Sequence, residues 1–214
     1  MSILTTDQPV ILIGAAPIDC LNLISQYPFE IIAVDGGANN TLSENKKFKL
    51  ILGDMDSCNS INSCQINEGS IYKIDDQDTT DFDKALKYIK APLYLAIGFY
   101  GARIDHTLSS FQTLSKNDNI ILIGPDDFAF KLNKFFKIEL PLNTRISFFS
   151  LIETKVISSS GLKWSLTNLS LTPNKQMSIS NRTSTSTIEV KFDQEGIICI
   201  LPLDQLDTII NYLF

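Results

Sequence analysis

Histidine and tryptophan occur once each in this chain, and only four of its 214 residues are cysteine. Cys20, Cys58, Cys64 and Cys199 show no CxxC spacing, which argues against a structural zinc site and against a disulfide framework. No apolar run approaches the roughly 18 residues that suggest a membrane helix. The first residues, Met1 to Asp7, lack the charged region and cleavage site of a signal peptide, so the sequence reads as cytoplasmic, with no membrane role. There is no basic surplus either. A net charge of -6 and a pI near 4.8 argue against a general nucleic-acid binder, which needs a basic face. Neither GxGxxG nor GxxxxGK[ST] occurs, which disfavours a standard dinucleotide enzyme and a P-loop kinase.

What is present describes an ordinary globular chain. Hydrophobic residues make up 44% and charged residues 20%, and the length suits one large domain or two small ones. The first part alternates between strand and helix patterns. Val10–Gly14, Glu30–Asp35, Leu50–Asp54, Leu93–Gly98 and Ile120–Gly124 are short apolar runs ending in Gly or Asp, as expected of buried parallel strands. Ser70–Ile74 alternates like a strand. Helical spacing runs from Ile18 to Tyr27, from Thr80 to Ile89 and from Asp105 to Leu114. These units predict an α/β domain with a mainly parallel sheet and flanking helices over residues 1–131. Beyond it, short alternating strands separated by Pro, Gly, Asn and Ser predict a smaller all-β sandwich or barrel over 132–214, closed by a helix or tail from Asp204.

Carboxylates gather in three clusters between residues 53 and 83: Gly53-Asp54-Met55-Asp56-Ser57, Asp75-Asp76-Gln77-Asp78 and Thr80-Asp81-Phe82-Asp83. Carboxylates set among apolar residues need partners, and a hard divalent cation that carries phosphates supplies one. Asp54 and Asp56, on the turn after a strand, are placed to share a magnesium ion; the plainer reading is a β-turn bonded to its own backbone. In the following segment Thr79 or Thr80 suits an N-cap, and Asp83 suits a pair with Lys87. Asp78 and Asp81 are the residues expected to face a site.

The segment Gly98-Phe99-Tyr100-Gly101-Ala102-Arg103-Ile104-Asp105-His106 offers a close backbone approach, a guanidinium fork for phosphate oxygens and the N-terminus of a helix. His106 is either a structural hydrogen bonder or part of that site. Asp35-Gly36-Gly37-Ala38-Asn39 is either a tight turn or a cradle for a base or ribose. All these turns follow strand C-termini, where open α/β sheets bind ligands. In the β-rich part Trp164 reads as core. Ser178 and Ser180 fall on one strand face, with Asn181 opposite or at the turn, and from spacing alone a plain solvent-exposed edge strand is the favoured reading.

Taken in order, DGGAN (Asp35 to Asn39), GDMDS (Gly53 to Ser57), DQDTTDFDKAL (Asp76 to Leu86), GARIDH (Gly101 to His106), GLKW (Gly161 to Trp164) and SISN (Ser178 to Asn181) resemble the thiamine pyrophosphokinase family across nearly the whole chain. The resemblance implies a diphosphokinase that moves the terminal diphosphate of ATP to the hydroxyethyl group of thiamine, giving thiamine diphosphate and AMP with magnesium. It also implies an N-terminal α/β domain, a C-terminal β-sandwich and a homodimer. Matched by motif, Asp54, Asp56 and Asp81 correspond to the metal and phosphate aspartates, and Asp78 to a helper. Arg103, Asp105 and His106 correspond to the nucleotide and phosphate motif, and Asp35 and Asn39 to the ATP pocket. Ser178, Ser180 and Asp81 correspond to positions near thiamine. Gln77 stands where many bacterial relatives have Lys, and Ala102 where Gly is common before the Arg. A diphosphokinase for another hydroxymethyl heterocycle such as a pterin, and a non-catalytic nucleotide- or thiamine-sensing module, are the alternative readings.

Overall fold

The computed structural model describes residues 2–18, 26–40, 47–53, 70–74 and 79–214. Asp54, Asp56 and Asp75 to Asp78, and most of the helix expected from Ile18 to Tyr27, lie outside the described residues. The chain packs as two compact units, one of residues 1–113 with 121–125 and one of residues 114–120 with 126–214.

The first unit contains β1 (Leu4–Thr5), β2 (Val10–Ile13), β3 (Glu30–Val34), β4 (Phe48–Gly53), β5 (Ile71–Lys73), β6 (Ile89–Lys90) and β7 (Tyr94–Ile97). Helix α1 (Asp81–Tyr88) precedes β6; α2 (Ile104–Lys116) and β8 (Ile120–Ile123) follow β7. Its main sheet runs in the order β8-β7-β2-β3-β4-β5. Strand β2 pairs in parallel with both β3 and β7, and β4 pairs in parallel with β3 and β5. All four residues of β2, and all four of β7, are buried. That is why these strands read as unbroken apolar runs: a central parallel strand is covered on both faces.

Chain order reverses beside β2. The strands β3, β4 and β5 extend the sheet to one side of it, whereas β7 and β8 extend it to the other. Loops leaving β2 and β7 therefore diverge at their C-terminal ends and open a crevice, the usual ligand position in open α/β sheets. Helix α1 begins where the sequence predicts, with Thr80 as N-cap accepting a hydrogen bond from the Asp83 amide at 3.2 Å. Phe82 and Ala85 of the helix are buried, as is Ile89 just after it.

The second unit contains β9 (Asp127–Leu132), β10 (Phe135–Glu139), β11 (Arg145–Ser150), β12 (Thr154–Ser160), β13 (Ser170–Leu171), β14 (Ser178–Arg182), β15 (Thr187–Phe192) and β16 (Ile197–Pro202), then α3 (Leu206–Leu213). Strands β10-β15-β12-β13 form one antiparallel sheet, and β14-β11-β16-β9 form a second antiparallel set. Aromatic side chains from the two sets meet: Phe148 of β11 lies 6.1 Å from Phe192 of β15, and Phe130 of β9 lies 6.1 Å from Phe136 of β10. Strand β9, on the α/β side of the expected boundary, packs with this unit. No helix among the described residues is long and apolar enough to cross a membrane.

Candidate active site

A cavity of about 440 Å³ opens in the first unit at the crevice beside β2. Its floor is lined by strand-end loops: Gly14, Ala15 and Ala16 after β2, Asp35 after β3, and Gly98, Phe99 and Tyr100 after β7. Two hydrogen bonds stitch these loops together, from the Gly14 amide to the Ile97 carbonyl at 2.8 Å and from the Ala16 amide to the Gly98 carbonyl at 2.9 Å. Gly98 has φ +76°, a left-handed conformation that side chains other than glycine adopt only under strain.

Above the floor the first turns of both helices reach the cavity, through Thr80, Asp81 and Phe82 on α1 and through Arg103, His106, Ser109 and Ser110 near and on α2. Helix N-termini point amide groups and the positive end of the dipole at whatever binds there, which favours phosphate oxygens. Phe82 stacks on Phe99 with centroids 4.3 Å apart, and Ser110 donates to the Phe99 carbonyl at 2.7 Å. Asp83 accepts from the Thr80 hydroxyl at 2.7 Å and from the Thr113 hydroxyl at 2.8 Å, tying α1 to α2. Those bonds fix the Asp83 carboxylate at the start of α1.

Asp35 is 8% exposed and has φ +46°. A non-glycine residue in the left-handed region stores strain, and such strain is tolerated where surrounding structure fixes it. Here the fixing comes from a five-residue 3-10 turn, Asp35–Asn39, whose first four residues are buried. Gly37 carries the tightest contact in it: a Cβ there would sit 1.9 Å from the Ile13 carbonyl oxygen. Asn40, one residue past the motif, donates to the Gly14 carbonyl at 3.3 Å and to the Gly37 carbonyl at 3.2 Å. It clamps the β2 and β3 loops to each other. Nothing in the spacing of DGGAN pointed to the bond from Asn40 to Gly14, since that partner comes from the loop after another strand. Asn39 is exposed and does not line the cavity.

Arg103 lines the cavity and makes a two-pronged ion pair with Asp105, Nε to Oδ1 at 3.1 Å and Nη2 to Oδ2 at 2.6 Å. Asp105 is not itself on the cavity wall; it also accepts from the His106 amide at 2.9 Å. These bonds, the guanidinium first and the amide second, hold its carboxyl at about 2, below the ordinary 3.8. A carboxyl depressed on folding holds its partner above the ordinary carboxylate range and releases it as pH falls through the depressed value. The pair is therefore intact throughout neutral and mildly acidic conditions. Carboxyl NMR titration is expected to place the Asp105 midpoint near 2, and Arg103→Ala to return it towards the ordinary range.

Of the residues singled out in the sequence, Asp35, Asp81, Arg103 and His106 all line this one cavity. Ser178 and Ser180 belong to the second unit, and they do not share a face. Ser178 is buried, whereas Ser180 is exposed with φ +58°. The strand alternation breaks there because the pairing of β11 with β14 shifts register between Ile146 and Phe148. Asn181 is the most deeply buried polar residue of the motif at 2% exposure, donating to the Trp164 carbonyl at 2.8 Å and accepting from the Trp164 amide at 3.2 Å. It joins SISN to GLKW. Trp164, read from sequence as core, is instead 52% exposed, its ring lying 4.8 Å from the Lys163 ammonium.

Comparison with known proteins agrees with this geometry. One family model, "Thiamin pyrophosphokinase, catalytic domain", matches residues 21–123, and a second, "Thiamin pyrophosphokinase, vitamin B1 binding domain", matches residues 136–197. The chain belongs to the thiamin pyrophosphokinase family. It is 26% identical over 196 residues to "Thiamin pyrophosphokinase 1" of Caenorhabditis elegans, covering 79% of this chain and 77% of that protein. The solved thiamine pyrophosphokinase of Bacillus subtilis superposes with a TM-score of 0.72 at 22% identity, over 91% of this chain and 98% of that one. The yeast thiamin pyrophosphokinase superposes with a TM-score of 0.72 at 18% identity, over 99% and 94%. At these identities the structural likeness concerns the fold of the family.

Proposed function

We propose that the thiamin pyrophosphokinase activity given to this chain by its family is carried out in the α/β cavity, with ATP as diphosphate donor. The observation that carries this reading is the placing of Asp81 and Arg103, opposite in charge, on one cavity wall at the N-termini of two helices. Thiamine accepts the diphosphate on its hydroxyethyl oxygen, and AMP leaves.

Phosphoryl chemistry of this kind asks the protein mainly to position reactants and neutralise charge. Arg103 supplies fixed positive charge, oriented by Asp105, and the α1 and α2 N-termini add oriented amides. Asp35 and Asp81 line the cavity and carry carboxylates, the hard donor type that magnesium takes. With Asp54 and Asp56, which lie outside the described residues, Asp81 forms the magnesium ligand set of this proposal. Bound there, magnesium would neutralise phosphate charge. Asp35 and the backbone after β2 hold the nucleotide, assisted by His106. Asn39 and Asp78 keep the nucleotide-side roles that the family motifs imply. Ser178 and Ser180 keep their thiamine-side assignment, and the homodimer and a cytoplasmic location belong to the same reading.

The test is release of AMP from ATP and magnesium in the presence of thiamine or of a hydroxymethylpterin. Thiamine-dependent AMP with thiamine diphosphate as co-product is the expected result. AMP formation dependent on the pterin alone, or none with either acceptor, would overturn it.

A further inference from the structure

Lys84 is the most deeply buried ammonium bearing on the cavity, although it does not line it: its side chain is 5% exposed and its Nζ donates to Oδ1 of Asp81 at 3.0 Å. The spacing is i, i+3, so one turn of α1 brings the two side chains together. A buried pair of this kind is poor at stabilising a fold, because removing the ammonium from water offsets most of its attraction to the carboxylate. Other contacts already fix the first turn of α1. The Thr80 cap holds its start, Asp83 ties it to Thr113, and Phe82 is stacked on Phe99. What those contacts leave undetermined is the rotamer of Asp81, whose side chain is 35% exposed. The Lys84 ammonium sets it from behind.

We propose that Lys84 is a positioning residue for the diphosphate transfer, holding the Asp81 carboxylate against the cavity wall so that it meets the magnesium–nucleotide complex in one orientation. This rests on the assignment of Asp81 made above. Without the ammonium, Asp81 is free to turn into solvent, and the same ligand must be ordered anew in each encounter. Precise placement of a reacting or neutralising group is worth orders of magnitude when lost by even about 1 Å.

The test compares Lys84→Met, Asp81→Asn and the double variant of the full chain. Methionine keeps the length and apolar stem of the side chain, and the carboxylate left behind is solvated, so Lys84→Met is expected to melt within a few degrees of the parent. Its kcat is expected to fall at least about ten-fold with the KM for thiamine unchanged. Manganese binding in the presence of ATP, followed by the electron paramagnetic resonance of the free ion, is expected to weaken several-fold. In the Asp81→Asn background, Lys84→Met is expected to add nothing further. An unchanged kcat in Lys84→Met, a double variant slower than Asp81→Asn, or a Lys84→Met chain that does not fold would each overturn the proposal. Full activity in Asp81→Asn would instead remove the assignment of Asp81, and this inference with it.

Discussion

Asp81→Asn is expected to slow AMP release by about a hundred-fold or more while leaving a folded protein. Asparagine keeps the shape of the side chain and one oxygen able to accept from Lys84, but removes the negative charge. The helix start does not depend on that charge, since the Thr80 hydroxyl and the Asp83 carboxylate close the first turn between themselves. Some stability is lost nonetheless, because the Lys84 ammonium remains buried with only a neutral partner at this position. Circular dichroism and a melting curve measure that part, and turnover per folded molecule measures the rest. Near-parental turnover would show that the carboxylate on the cavity wall takes no part in the reaction.

Gly37→Ala is expected to have the largest effect on the fold of any single methyl group added to this unit. The new carbon would stand 1.9 Å from the main-chain oxygen of Ile13, the last residue of β2, which is held by pairing to β3 on one side and β7 on the other. Relief requires the 3-10 turn to lift off the end of β2, which breaks the Asn40 clamp to the Gly14 and Gly37 carbonyls. Overpacking of this severity costs about 3 kcal/mol, which for a unit of this size lowers the melting temperature by roughly 10 °C. Because the turn carries Asp35, ATP binding should fall as well, even at temperatures where the chain stays folded. Thermal melts with and without ATP check both parts. A variant as stable as the parent would mean that the loop after β3 adapts at low cost.

How much of this could be read from residues alone depended on whether the signal was local. The buried parallel strands were legible because coverage on both faces forces every residue to be apolar, as in Val10–Ile13. The start of α1 was legible because a cap and its partner lie within one turn. The convergence of Asp35, Asp81 and Arg103 followed from motifs that each sit at a strand end. Contacts between segments were not legible. The bond from Asn40 to Gly14 was invisible because that partner, 26 positions away, is brought to it by strand pairing. For Asp83 the sequence offered only a neighbour on its own helix, and its bond to Thr113, 30 positions away, gave no local signal. The faces of Ser178 and Ser180 were misread because a one-residue irregularity in β14 pairing, unmarked by glycine or proline, undoes strict alternation. Lys84 carried a readable signal, its i, i+3 spacing from Asp81, that a search for acidic clusters passes over.

The exposed position of Trp164 has a practical corollary. It is the sole indole of the chain, and it is anchored through its backbone to Asn181 while its ring faces solvent. Ultraviolet emission excited at the red edge of tryptophan absorption therefore reports on one spot of the β-rich unit, without labelling and with the six tyrosines silent. Any molecule that settles on that surface, whether a flat heterocycle or a second copy of the chain, changes the polarity around a single fluorophore. The protein thus carries its own optical probe, joined through Asn181 to the motif proposed above to face thiamine.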